Sequence, residues 1–241
     1  RADALQQLAR FLSKSFEDFG PFEDAMTTKS WSLHHSLLSP YLNLGLITPD
    51  EVIDAALVQF EKTKIPIASC EGFIRQIIGW REYINGIYWY FDESYREENS
   101  LGSNRPLLPL FSDSSKTKMK CVSETVSGVE RRGWVHHIPR LMILSNLAAL
   151  CDIAPNELLI WMRNNFIDAA DWVMVPNVFG MSQYACASLM MNRPYFSSSN
   201  YIFKMSNYKK SDENTKIKLG NEEYFWYDIW DALYYNFIND N

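Results

Sequence analysis

Apolar residues along most of the chain recur at three- and four-residue steps, with almost no alternation of the strand kind. Leu5, Leu8, Leu12 and Phe16 form one such stripe, which predicts an amphipathic helix ended by Gly20-Pro21. Thr48-Pro49-Asp50-Glu51 reads as an N-cap, a proline at the first helical position and a capping-box acid. Ile47 and Val52 are spaced as the accompanying hydrophobic staple, so a helix is expected from about Pro49. From Ile67 to about Phe91 the apolar positions Phe73, Ile74, Ile77, Ile78, Ile84, Ile87 and Tyr88 keep helical spacing over one long helix. Gly72, Gly79 and Gly86 recur along it, each costing ~1 kcal/mol relative to Ala, which implies a close neighbour along that face. Helical pattern returns over 121–129, 135–150 and 155–166, and an aromatic helix is expected from about Asn221 to Phe237. Residues 99–118 read as a long surface loop, and 192–218 are rich in Ser, Asn and Lys. The fold class is therefore all-α, a single helical domain over residues 1–241, with no strand expected.

Charge narrows the function classes. With 23 Lys and Arg against 29 Asp and Glu, net -6, the chain is not a globally basic nucleic-acid binder. Residues 221–241 hold five acidic residues and no Lys or Arg, so the remainder is near neutral and a local basic face stays possible. The apolar fraction of 47% argues against disorder, and no apolar run reaches the ~18–20 residues of a membrane span. A cytoplasmic location without membrane partners is expected. Cys70, Cys121, Cys151 and Cys186 show no C-x-x-C spacing, so reduced, buried thiols are the default. The first residue is Arg and no signal-like segment follows, as in a piece of a longer protein. Eight Trp, thirteen Tyr and fourteen Phe supply large planar surfaces for packing or for a planar ligand.

Candidate chemistry lies in three places. Arg140 falls in an otherwise apolar helix, four residues beyond His136 and close to His137, and a buried cation needs a partner; Asp168 or Asp171 is available. Arg81 raises the same question on the long helix. Salt bridges alone account for either arginine, while two arginines, two aspartates and two histidines together point to a site. Ser36 and Ser39 stand beside the helix-starting Pro40, where hydroxyls and free N–H groups suit a phosphate; a simple N-cap role for Ser39 fits equally well.

Four segments bring these residues into one pattern: Ser36-Leu-Leu-Ser-Pro-Tyr-Leu-Asn-Leu-Gly45, Gly79-Trp-Arg-Glu-Tyr83, Gly133-Trp-Val-His-His-Ile-Pro-Arg140 and Asp168-Ala-Ala-Asp-Trp-Val-Met-Val-Pro-Asn177. Followed in order by Gly180-Met-Ser-Gln183, Arg193-Pro-Tyr195 and Asn200-Tyr-Ile202, they resemble the FAD-binding half of the photolyase/cryptochrome family, in its prokaryotic (6-4) photolyase branch. The resemblance implies light-driven repair of UV-damaged DNA by electron transfer from reduced FAD, with the family's N-terminal α/β antenna domain missing from this chain. It implies that Ser36 and Ser39 hold the FAD phosphates. Arg81 is expected to lie against the flavin, and Arg140 and Asp168 to form a buried ion pair near it. Asn177 is expected to face flavin N5, with Asp171 in the same cofactor-binding set. His137 is the implied proton donor, His136 its neighbour, and Trp161 the implied electron relay.

The departures from the pattern are specific. The branch binds an iron-sulfur cluster through four cysteines, of which Thr117-Lys-Met-Lys-Cys121 retains the first; Lys209-Lys-Ser-Asp212 and Glu222-Glu-Tyr-Phe-Trp226 stand where the others belong. No cluster is expected, with the aromatic helix in its place. Met162 and Asp113 occupy two further relay positions where Tyr and Trp are expected. DNA contacts are expected from Lys116, Lys118, Lys120, Arg131, Arg132, Lys204, Lys209 and Lys210. A cryptochrome-like photoreceptor without repair, and a relic that has lost its flavin, remain as alternatives.

Overall fold

A computed structural model describes residues 1–91 and 93–241, apart from the side chains of Glu93 and Asp212. The architecture is mainly helical. Helix α1 (Ala2–Lys14) buries Ala4, Leu8 and Phe11, one step round from the expected stripe, and leaves Leu5 exposed. Gly20-Pro21 does not end that helix. The chain breaks at Ser15 and resumes as α2 (Phe16–Phe22), which carries Pro21 inside it. Proline there deprives the Glu17 carbonyl of its intrahelical donor. Ser69, fully buried, makes good the loss: its Oγ donates to Glu17 O at 2.6 Å and accepts from Gly20 N at 3.0 Å. The backbones approach so closely that a Cβ on Gly20 would lie 2.8 Å from Ser69 N.

Helix α3 (Ser39–Asn43) is a single short turn, and α4 (Pro49–Lys62) begins with the expected capping box. Glu51 N donates to Thr48 Oγ1 at 3.3 Å and Thr48 N to Glu51 Oε2 at 2.9 Å, while Ile47 and Val52 are both buried. The long helix is α5 (Ile67–Ile74), a π-helical turn (Arg75–Arg81) and α6 (Glu82–Tyr90) in unbroken succession. Of its three glycines, Gly72 faces a close neighbour, Glu23 Oε2; nothing lies within 4 Å of a Cβ built at Gly79 or Gly86, so the expected close approach does not run along that face.

Beyond the 3-10 turn Glu93–Glu97 the chain is largely irregular to residue 119. It is not all surface, because Phe111 is buried and its carbonyl accepts from Trp161 Nε1 at 2.8 Å. Helix α7 (Lys120–Arg132) ends at Gly133, whose φ of 59° is left-handed. A second π-helical turn (Pro139–Ser145) runs into α8 (Asn146–Leu150); α9 (Pro155–Asn165) and α10 (Asp171–Pro176) follow, and α10 continues as a third π-helical turn, Asn177–Ser182. Helix α11 (Ser199–Met205) precedes an antiparallel hairpin, β1 (Lys216–Leu219) and β2 (Glu222–Phe225), and α12 (Trp226–Asp240) closes the described chain.

The hairpin corrects the expectation of a helix from Asn221. Leu219 pairs with Glu222 across the two-residue turn Gly220-Asn221, and Gly220 has the φ of 62° that such a turn asks for at its first position. The helix starts at Trp226, where Asp228 accepts from Phe225 N at 3.1 Å and satisfies an otherwise free amide.

Apolar side chains gather in two clusters. Helices α1, α2, α4 and α5 enclose Phe11, Phe16, Phe19 and Phe73; the Phe11 and Phe73 ring centroids are 4.7 Å apart. The larger cluster, built on α7 to α12, centres on Leu144, Leu147, Leu158, Phe179, Trp226 and Trp230. Each fully buried ring is worth roughly 1.5–3 kcal/mol in apolar burial, so both clusters anchor the walls of whatever lies between them.

Candidate functional site

Between the two clusters lies a cavity of about 900 Å³, within the ~300–1,000 Å³ usual for cofactor and small-molecule sites. All three π-helical turns contribute to its wall, through Gln76 and Arg81, Arg140 and Ser145, and Asn177 and Ser182. A π turn shifts the side chains that follow it relative to an α-helix, and such turns recur at functional sites.

A buried clamp forms one side. Arg140 holds Asp168 in a bidentate pair, Nη1 to Oδ1 at 2.9 Å and Nη2 to Oδ2 at 3.0 Å, and its Nε donates to Val135 O at 2.7 Å. Ser39 Oγ donates to Asp168 Oδ2 at 2.7 Å, and Asn43 Nδ2 to Asp168 O at 2.8 Å. The Phe166 ring lies 4.2 Å below the Arg140 guanidinium. Burial acts to raise the Asp168 pKa, but the Arg140 charge, the Arg140 hydrogen bonds and the Ser39 hydroxyl outweigh it and hold the carboxyl below its ordinary value. Chain topology sets this up, since Gly133 O accepts from Ile167 N at 2.9 Å and brings the end of α7 beside Asp168.

Arg81 completes the network differently. Its Nη1 donates to Asn43 Oδ1 at 2.7 Å and its guanidinium lies 4.6 Å over the Trp172 ring. Among the described residues no carboxylate reaches ion-pair distance of it. Burial lowers its pKa, and it opens on the cavity. Ser36 and Asn177 also line the cavity; Leu38 N donates to Ser36 Oγ at 3.4 Å and Asn177 Nδ2 donates to Val173 O at 2.8 Å.

Three imidazoles meet at another part of the wall. His136, buried, stacks on His35 with centroids 4.3 Å apart, and His137, half exposed, stands edge-on to His35 at 5.3 Å. His137 Nε2 is 3.3 Å from Asp24 Oδ1, and this hydrogen bond is the first cause holding Asp24 below the usual carboxylate range. Burial, then the neighbouring His137 and Arg140, push His136 down to about 3. The segment that carries His35 and Ser36 is held between two residues in the left-handed region, Leu33 (φ 46°) and Leu37 (φ 59°); strain of this kind costs of order 1–3 kcal/mol per residue and gathers at functional sites.

No family model matches the chain. Among curated proteins, the (6-4) photolyase of Agrobacterium fabrum is 38% identical over 242 residues, covering all of this chain and 47% of that protein. The chain is homologous to that photolyase along its whole length. It spans about half the length of that photolyase. Protein R855 of Acanthamoeba polyphaga mimivirus is 40% identical over 100 residues, 42% of this chain and 72% of that protein. The crystal structure of a class III photolyase from Agrobacterium tumefaciens matches with a TM-score of 0.65 over 84% of this chain and 44% of that one, at 20% identity, a likeness of fold.

Within this photolyase-like fold, Ser36, Arg81, His136, His137, Arg140, Asp168 and Asn177 all line the same cavity, as does Ser39. Ser39 is not the N-cap, a position taken by Leu38, and its hydroxyl proton is committed to Asp168, so it has none to give a phosphate. Asp171 departs from expectation: it does not line the cavity, because Arg96 and Arg163 each hold it at 3.0 Å on α10's other side. Trp161 also lies outside, packed on Phe111 and on Phe166, whose ring separates it from Arg140. Met162 lines the cavity in its stead, and Asp113 caps a 3-10 turn by accepting from Ser115 N at 3.0 Å. The lysines and arginines expected to face DNA do not line the cavity either. Arg132 lies over Trp31 and Lys210 over Tyr227, while Arg75 and Arg193 are the cavity's own exposed cations. Cys121 is fully buried and all four cysteines are free. Asn43, Asp24, His35 and Trp172 are site residues to which the sequence assigned no role; Asn43 falls one helical turn after Ser39, which is the signal that places both on Asp168.

Among the described residues no helix is long and apolar enough to cross a membrane.

Proposed function

We propose that this chain is the flavin-binding half of a light-dependent DNA-repair flavoprotein acting on (6-4) pyrimidine photoproducts. The observation that carries the reading is Arg81: a half-buried cation that forms no ion pair among the described residues, stacked on Trp172 and opening on a cavity of cofactor size. An uncompensated guanidinium in such a place calls for an anionic or electron-rich ligand. FAD fits the donor set: Arg81 and Asn177 would hold its isoalloxazine and Ser36 its phosphates. The bound cofactor would supply the light-driven electron.

The chain's own residues do the rest. The Arg140–Asp168 clamp ties α3, the second π turn and the entry to α10 into one rigid wall, so the cofactor meets preformed donors. His137, exposed at the cavity wall and oriented by Asp24, is the group placed to hand a proton to a base flipped out of the duplex. His136, sealed beneath His35, supports it from behind. Arg75 and Arg193 offer phosphate contacts at the opening.

The test is illumination of an oligonucleotide carrying one (6-4) lesion with the purified chain, loaded with chemically reduced FAD. Light-dependent loss of the lesion is expected. Flavin photochemistry with no lesion turnover would overturn the repair reading and assign the photoreceptor one.

A further inference from the structure

We propose that His35, His136 and His137 form a binding site for a divalent ion of the zinc class, with Asp24 as its accompanying carboxylate. The ligand nitrogens of these three histidines lie within 4.8 Å of one another, the one such grouping of metal-ligating side chains among the described residues. Two of them are conspicuous: His35 Nε2 and His136 Nδ1 are buried and have no hydrogen-bond partner among the described residues. A buried ring nitrogen left unpaired costs free energy, and a metal ion satisfies it with the lone pair it already offers.

The geometry is close to ligation without being there. Zinc with nitrogen ligands at about 2.0–2.1 Å sets neighbouring nitrogens roughly 3.4 Å apart in a tetrahedron, so the cluster must contract by somewhat more than an ångström. His35 and His136 stack at an interplanar angle of 19°, which sends their in-plane lone pairs side by side; rotation of His35 about its side-chain bonds makes them converge. The adjoining cavity gives that ring room, and His137 is exposed enough to follow. Asp24 Oδ1, 3.3 Å from His137 Nε2, supplies the carboxylate that such sites use to fix an imidazole's orientation. Three imidazoles and a carboxylate suit zinc better than magnesium or calcium, which take oxygen ligands. An ion bound here would take His137 out of the cavity chemistry, so occupancy would silence proton delivery; that consequence rests on the proposed function, whereas the binding does not.

Calorimetric titration of the purified chain with Zn²⁺, and the visible absorption of the chain with Co²⁺, test the site. One ion per chain is expected, with the Co²⁺ bands of an imidazole-ligated tetrahedral centre. His35→Ala is expected to weaken binding at least tenfold, a lower bound taken from the ~10–100-fold cost of losing even an outer-shell partner. His34→Ala, which removes the neighbouring imidazole paired with Asp18, leaves it unchanged. If His35→Ala lacks the parent's circular dichroism, His137→Ala at its exposed position serves the same comparison. Parent binding no tighter than that of the cluster variant, or an equal loss in His34→Ala, overturns the proposal. FAD titrated in parallel separates the two claims, since metal binding without flavin binding, or the reverse, removes one and leaves the other.

Discussion

Arg140→Ala is expected to destabilise the chain by roughly 3–5 kcal/mol, because it leaves the Asp168 carboxylate buried beside Ser39 with no cation. A loss of that size is a large fraction of the ~5–15 kcal/mol typical of a domain. Arg140→Lys is expected to recover part of it, since an ammonium cannot make both bonds to the carboxylate and the third to Val135 O. The pH dependence carries the same signature. The folded-state pKa of Asp168 is depressed, so its contribution is present above the unfolded value of about 3.9 and is lost as pH falls through the folded one. The parent's denaturation midpoint should therefore drop below about pH 4 more steeply than that of Arg140→Ala. Urea titrations at neutral and acid pH check both statements, and equal midpoints at neutral pH for parent and alanine variant would dismiss the clamp as a source of stability.

His137→Ala is expected to lower lesion turnover by about 10²–10⁴-fold, the usual contribution of a positioned proton donor, with folding intact. The fold survives because His137 is half exposed and its hydrogen bond to Asp24 lies at the surface. Damaged-DNA affinity and flavin content are expected to match the parent, which isolates the loss to the chemical step. His136→Ala differs in kind: the ring is buried between His35 and the helix that carries Arg140, so its removal opens a cavity and costs stability as well. Repair by His137→Ala at the parent's rate would take the imidazole out of the mechanism.

Where the sequence was legible, a residue in the wrong chemical company gave the signal. Arg140 in an apolar helix demanded a carboxylate, and Asp168 supplies it. Thr48-Pro49-Asp50-Glu51 specified its own helix start because every partner in a capping box is local. Asp168 and Asp171 could not be told apart by type or spacing, and what separates them is the claim that Arg96 and Arg163 lay on Asp171 from elsewhere in the chain. The hairpin was hidden by the aromatic residues after it, whose helical spacing is real from Trp226 onward, while Gly220-Asn221 alone marked the turn. Pro21 inside α2 depends on Ser69, a hydroxyl distant in sequence that takes over the orphaned carbonyl. The His35 stack on His136 has no local signature at all, since it joins two segments that meet when the two apolar clusters pack around the cavity.

The central claim is that this cavity binds FAD through Arg81, and titration of the purified chain with FAD, followed by flavin fluorescence, tests it most directly. The expected result is one FAD per chain, with Arg81→Ala binding roughly 10–100-fold more weakly, the equivalent of the ~1.5–3 kcal/mol carried by hydrogen bonds from a charged group, while keeping the parent's circular dichroism. Absence of flavin binding by the folded parent, or equal affinity in parent and variant, would contradict it.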